Sequence, residues 1–227
     1  MARAHAPGQA LAGPGSAALL AVCAAFALYV GQAYLARPPQ TWGEAVGEDF
    51  ASGWRAWLFG PHIVAGSIAT LLGPAQLLPW CSRATHGWVG RAVLLCSTVV
   101  SVFGIAFAAL FGTHGGPVMT ASFIAYGVAL AVAAWATWRS SGSSQGQLHQ
   151  VWGTRLAFLS AGSAIYRILV LPVFLASLWG SGDSALLSPE VETLCLNAGA
   201  VAFVPVCLGL AHIAAPASRE APRSKQQ

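Results

Sequence analysis

The side chains in this sequence that could do chemistry are histidines, arginines and a glutamine that occur within or beside long apolar stretches. An ionisable group inside hydrocarbon costs about 2.5–3.5 kcal/mol, so it usually faces a partner, a cavity or a cofactor. Neutral imidazole is an axial ligand of haem iron, and basic side chains can pair with haem propionates. Two layers of histidine in a helical bundle would resemble a two-haem electron path. By predicted depth the candidates form two such layers, an outer one of His62, His114 and Arg167 and an inner one of Gln76, His86, Arg91, His149, Arg155 and His212.

Small and polar residues of the second apolar stretch fall on one face of a helix. Gly66, Gly73 and Gln76 follow His62 by 4, 11 and 14 positions. At about 100° per residue, all four lie within a sector of about 80°. Another helix or a flat ligand can approach such a face closely. The alternative is that the glycines only serve helix packing and that His62 bonds to a neighbouring carbonyl.

The fifth apolar stretch carries a second polar group. His149, Trp152 and Arg155 follow one another at steps of three, which places neighbours close together on a helix. Anchoring at the membrane interface explains the same pattern. Arg167 lies about 24 Å along the helix from Val151, in the outer half of a bilayer. Because no acid lies in any predicted span, Arg167 needs an anion, backbone carbonyls or a polar cavity.

The elements that position these residues are predicted to be membrane-spanning helices. The 227-residue chain is 56% hydrophobic and 8% charged, with a mean hydropathy of +0.64, whereas a soluble domain is about 25% charged. A helix of about 20 apolar residues crosses the hydrocarbon of a membrane. We therefore predict an all-α, polytopic membrane bundle of about six transmembrane helices, over residues 15–36, 54–80, 91–111, 117–138, 151–179 and 193–212.

The distribution of charge predicts that both termini are cytoplasmic. With the N-terminus inside, eight basic residues fall on the inner face and two, Arg37 and Arg55, on the outer face, which agrees with the positive-inside rule. Residues 1–14 are then an N-terminal cytoplasmic tail, residues 15–214 the transmembrane domain, and residues 215–227 a disordered cytoplasmic tail. Cleavage of the first stretch as a signal peptide is the alternative, but its apolar run exceeds the usual 7–15 residues or so. The plasma membrane is the expected location, with an organelle membrane as the alternative.

Two longer motifs resemble a known family. They are PHIVAGSIATLLGPAQLLPWCSRATHGWVGRAV and LHQVWGTRLAFLSAGSAIYRILVLP, and the region that they bound, from Pro61 to Pro172, is about half of the chain. Their spacing is similar to that of the DUF2306 family of predicted multi-pass membrane proteins, whose motifs resemble LH…GP.Q…HR..GR and HR.WM.R…LR..LP. Gly87 and Gln150 stand where that family commonly has arginine. The resemblance implies a multi-helix membrane fold but no settled activity.

The resemblance also ranks the histidines. His62, His86 and His149 fall at motif positions, whereas His114 and His212 do not. The inner pair of His86 and His149 is therefore favoured over an outer pair of His62 and His114.

The leading hypothesis for function is a haem b-binding electron-transfer protein, by extrapolation to bundles of the cytochrome b561 type. His86 and His149 would ligate the haem, and His62 would serve a second haem or a quinone. The other candidates for cofactor binding are Gln76, Arg91, Trp152, Arg155 and Arg167, of which Arg155 or Arg167 would balance propionate charge.

Three alternatives stay open at this point. In a transporter or channel for a small solute, His62, Gln76 and Arg167 would line a polar path. In a membrane enzyme that acts on a lipid, the histidines would bind a catalytic metal. In a structural subunit of a membrane complex, the polar residues would contact neighbouring chains. A quinone or a redox protein is the expected partner of the leading hypothesis, and nucleic acid is not expected because the basic residues are dispersed.

Overall fold

The described part of the chain is helical throughout. The structure, a computed structural model, describes residues 14–36, 55–78, 82–142, 146–179 and 188–214, and no strand occurs among them. This confirms the predicted all-α class. The helices are α1 (Pro14–Val30, extended by a π-helical turn, Gly31–Leu35), α2 (Arg55–Ala75), α3 (Arg83–Phe111), α4 (Gly116–Ser141), α5 (Gly146–Ser160), α6 (Gly162–Trp179) and α7 (Pro189–Ala214).

Several of these helices can cross a membrane. The helices α2, α3, α4 and α7 are each long and apolar enough, and α5 with α6 makes a fifth candidate span. The apolar part of α1, over residues 18–30, is shorter. Large apolar side chains cover the outside of the bundle, for example Leu95 at 67% and Leu110 at 61% exposure. Such an exterior suits lipid rather than water, so the chain is a multi-pass membrane protein with four or five candidate spans. The predicted tails, apart from Pro14, lie outside the described residues.

Two predicted joints are partly helical in the structure. Residues 83–90, expected in a polar joint, form the first two turns of α3. Ser82 caps this helix, because its Oγ accepts a hydrogen bond of 3.1 Å from the Thr85 N–H. The expected linker over residues 139–150 is also shorter, since α4 continues to Ser141 and α5 begins at Gly146. Both corrections move a candidate ligand, His86 or His149, from a joint onto a helix.

The helix α5 lies at the centre of the bundle. It packs against α2, α4 and α7, while α3 packs against α2 and α4. All residues from Leu156 to Ala161 are buried, and Leu159 is 1% exposed. The second half of α5 is therefore enclosed by other helices and not by lipid.

The predicted fifth span is broken at this central point. The helices α5 and α6 meet at Ala161 with a bend of 46°, where the prediction had one continuous helix over residues 151–179. Kinks without proline often occur at glycine and serine pairs, and the sequence here is Ser160-Ala161-Gly162-Ser163. The Ala164 N–H donates to the Ala161 carbonyl at 2.9 Å, whereas a continuous helix would direct it to the Ser160 carbonyl.

Candidate functional site

The two favoured histidines meet at one end of the bundle. His86 is the fourth residue of α3 and His149 the fourth residue of α5, each at the end of the first helical turn. Their ring centres are 6.4 Å apart and the ring planes are nearly perpendicular, at 82°. We call the region formed by the beginnings of α3 and α5 and the ends of α2 and α4 the His149 end. The pairing of His86 with His149, and not of His62 with His114, agrees with the ranking from the sequence.

The orientation of His149 is fixed by the backbone of a neighbouring helix. Its Nδ1 lies 3.2 Å from the carbonyl oxygen of Thr137 in α4. A carbonyl only accepts hydrogen bonds, so Nδ1 carries the proton and Nε2 has a free lone pair. Metal-binding histidines are commonly held by this type of second hydrogen bond.

The separation of the rings is suitable for one shared metal. An imidazole nitrogen lies about 2.0 Å from a first-row metal and its ring centre about 1.1 Å further, so two rings on opposite sides of one metal have centres about 6.3 Å apart. The observed 6.4 Å is close to this value. Among the described residues, no three or more His, Cys, Asp or Glu side chains come together in a way that could hold a metal ion. A metal at this position would be held by His86 and His149, and a pair of imidazoles is a suitable ligand set for haem iron.

Gln76 lies near Gly90 at the same end of the bundle and has an unused donor. It follows the last turn of α2, and a Cβ added at Gly90 of α3 would lie 3.4 Å from its Oε1. Gly90 is one turn after His86 on the same helix. The Nε2 of Gln76 is buried and has no hydrogen-bond partner among the described residues. A buried donor of this kind costs about 1–3 kcal/mol unless a ligand or water satisfies it.

Arginines at the His149 end lie over tryptophans of their own helices. The guanidinium of Arg91 is 5.0 Å from the ring of Trp88, and that of Arg155 is 4.6 Å from the ring of Trp152. Both pairs are one helical turn apart, so cation–π attraction accounts for the positions of the side chains. The two arginines add positive charge to the end that holds the histidine pair.

His62 is held by α3 and not by a second histidine. Its Nδ1 lies 3.1 Å from the carbonyl oxygen of Val100. A Cβ added at Gly104 would lie 2.8 Å from the imidazole Cε1, so only glycine at that position leaves room for the ring. The structure thus gives His62 the carbonyl partner that the packing explanation expects.

Arg167 has one partner on its own helix and one on α1. Its guanidinium donates to the Ser163 carbonyl at 3.3 Å and lies 4.6 Å from the ring of Phe26 in α1. A carbonyl and an aromatic face are ordinary partners for an arginine at membrane depth. Arg167 is not brought to the histidine pair, because it lies on α6 beyond the break.

Polar side chains of neighbouring helices contact the break, and they were not among the candidates predicted from the sequence. The Leu159 carbonyl accepts a hydrogen bond of 2.7 Å from the Tyr126 hydroxyl, and the Ser160 carbonyl accepts one of 2.9 Å from Thr70. The Ser97 and Ser160 hydroxyl oxygens are 3.3 Å apart. Side chains of α2 and α4 thus replace the backbone partners that a bend removes, as a membrane interior requires. The run Ser160–Ser163 is the only part of the sequence that hints at this site.

Comparison with known proteins identifies no relative of this chain. No protein-family model, curated protein or solved structure matches the chain, so the geometry of the site is the basis for its functional interpretation.

Proposed function

We propose that this protein is a multi-pass membrane protein that binds haem b between His86 and His149 and transfers electrons. The observation that carries the proposal is the ring separation of 6.4 Å at the His149 end. With His86 and His149 both holding it, the haem would serve electron transfer rather than oxygen chemistry. A haem would supply a one-electron redox couple at this end of the bundle.

The residues around the pair would hold and tune such a group. His149 would keep its Nε2 directed by its hydrogen bond to the Thr137 carbonyl. Arg91 and Arg155 would balance the propionate charges, and each carries one positive charge near the interface. The Gln76 Nε2, which has no partner among the described residues, would donate to a propionate or to a quinone at the same end.

The topology proposed with this function has six spans and two cytoplasmic termini. It is supported by the eight basic residues that fall on one face against two on the other. The His149 end would then face the cytoplasm of a cell whose plasma membrane holds the protein. Membership in the DUF2306 family is proposed on the same motif residues that form the site.

Visible spectroscopy of the purified protein tests the haem proposal. The protein is purified in mild detergent from cells supplied with a haem precursor, and the dithionite-reduced spectrum is compared with the oxidised one. We expect a sharp α-band and a haem content near one per chain. A flat difference spectrum from cells shown to be replete in haem would remove the proposal.

A second candidate function, cation transport, is favoured by the break at Ala161. Discontinuous helices in membrane transporters place freed carbonyls beside the transported ion, and the break here lies within the buried centre of the bundle. Uptake of radioactive sodium by liposomes that contain the protein tests this candidate. We expect uptake above that of empty liposomes, and equal uptake by both would argue against transport.

A further inference from the structure

Four oxygen atoms from three helices meet at the break between α5 and α6. They are Thr70 Oγ1 of α2, Ser97 Oγ of α3, and both the carbonyl oxygen and Oγ of Ser160 of α5. The residues are nearly inaccessible, with exposures of 1% for Thr70, 0% for Ser97 and 3% for Ser160. Hydroxyl and carbonyl oxygens are hard ligands, which bind alkali and alkaline-earth cations in preference to transition metals.

The spacing of these oxygens corresponds to a small cation. Oxygens about 2.4 Å from an ion at neighbouring octahedral positions lie about 3.4 Å apart. The two measured separations, 2.9 Å and 3.3 Å, are somewhat shorter, as is expected while hydrogen bonds join the same atoms. A cation bound here would replace these two hydrogen bonds as the partner of the same oxygens.

The charge of the surroundings favours a single positive charge. The carbonyl end of α5 points into the cluster, and a helix carries a partial negative charge at that end. No aspartate or glutamate occurs between residues 51 and 182 of the chain, so no carboxylate is available there to compensate a divalent ion. Neutral oxygens alone hold monovalent ions in the filters of cation channels.

Two further buried polar groups lie on α6 and α7. A shallow pocket of about 490 Å³ is lined by Glu190, Thr193 and Asn197 of α7, among others. The Asn197 Oδ1 and the Tyr166 hydroxyl are buried and have no hydrogen-bond partner among the described residues. Tyr166 packs against Phe203, and Phe203 packs against Tyr126.

Tyr126 contacts the break itself, because its hydroxyl donates to the Leu159 carbonyl. The acid Glu190 at the pocket would attract cations, and the two unpartnered groups could each hold water or a passing ion.

We propose that the break between α5 and α6 is a Na⁺-binding site with Thr70, Ser97 and Ser160 as ligands. The site goes beyond the haem proposal and does not depend on it. It deepens the transport candidate by naming its ion, and it rests on that candidate only for its biological use.

Equilibrium binding tests the site directly. Purified protein is incubated with radioactive sodium, and its thermal unfolding midpoint is measured in sodium, potassium and choline chloride at equal ionic strength. We expect saturable binding and a midpoint about 3–6 °C higher in sodium than in choline when sodium is at ten times its Kd. Equal midpoints in the three salts, no bound sodium, or a larger shift with potassium would each overturn the proposal.

Matched variants separate ligation from folding. Thr70→Val removes a ligand with little change of volume, and Ser97→Cys replaces a hydroxyl by a thiol, which is a poor ligand for Na⁺. We expect each to bind sodium at least tenfold more weakly. The control is Thr98→Val, since Thr98 is on the exposed side of α3 and bonds only to the Leu94 carbonyl of its own helix. An equal loss in the control would show that the variants act through folding and would contradict the assignment of ligands.

The experiments distinguish a protein that does not transport sodium from a protein that lacks the proposed binding site. Sodium binding without sodium uptake by liposomes would remove the transport candidate and leave the site in place. Uptake with unchanged binding in Thr70→Val and Ser97→Cys would support transport and overturn this site.

Discussion

Replacement of His149 by alanine is expected to remove the α-band and to reduce the haem content at least tenfold. His149 would provide one of two axial ligands, and even the loss of a residue that only orients a ligand commonly costs 10–100-fold in affinity. His149 is oriented by the hydrogen bond that its Nδ1 donates to the Thr137 backbone carbonyl. A change of the Thr137 side chain alone should therefore leave the spectrum unchanged. The measurement is the reduced-minus-oxidised spectrum, with the amount of protein fixed by its absorbance at 280 nm.

Other histidine variants provide the controls for this prediction. His86→Ala should give the same loss as His149→Ala, because both imidazoles are proposed ligands and their ring centres are 6.4 Å apart. His114 and His212 are not part of this pair, so His114→Ala and His212→Ala should retain the band. If His62→Ala alone removed the band, the haem would instead lie beside His62, and the assignment to the His149 end would be wrong.

The sequence was sufficient for the class of fold, because the class depends on patterns along single helices, whereas the assignment of His86 and His149 as ligands stays a prediction. Apolar length predicted the spanning helices, and the motif spacing selected His86 and His149, whose contact between α3 and α5 the structure then supplied. The helical placement of His86 depended on one capping hydrogen bond at Ser82, which a pattern of apolar residues does not report.

The break at Ala161 could not be predicted in the same way. Its stability comes from Thr70, Ser97 and Tyr126, which lie on three other helices. Each of these residues separately resembles an ordinary packing residue. Only the assembled bundle brings Thr70 and Tyr126 to the carbonyls of α5 and Ser97 to the Ser160 hydroxyl. Arg167 shows the same limit, since its partners are the Ser163 carbonyl and the ring of Phe26 on a distant helix.

The two proposed sites share one short helix. His149 lies in the first turn of α5 and Ser160 at its last residue, about 16 Å apart along the axis. The helix is enclosed by α2, α4 and α7, so a shift that follows ion binding at Ser160 would be carried to His149 as a rigid-body movement. We expect the midpoint potential of the haem to depend on sodium only if both sites exist.

Two glycines of α2 are expected to respond in opposite directions to the same substitution. A Cβ at Gly73 would lie 2.8 Å from the Ser160 Cβ and 3.5 Å from the Ala157 carbonyl oxygen, in the tightest part of the contact between α2 and α5. A Cβ at Gly66 would meet only the Val100 Cγ2, at an ordinary distance of 3.8 Å. Overpacking typically costs about 1–3 kcal/mol, whereas alanine in place of glycine stabilises a helix by about 0.5–1 kcal/mol.

The unfolding free energy of Gly73→Ala should therefore be about 1–3 kcal/mol below that of Gly66→Ala. For a chain of this size, the thermal midpoints should differ by about 2–10 °C. The two variants are controls for each other, because both replace glycine by alanine on α2. The sequence also predicts that both positions lie on one face of that helix. Equal midpoints would mean that α2 and α5 do not approach closely at Ser160, and the oxygen cluster at the break would then lack the contact that brings Thr70 to the Ser160 carbonyl.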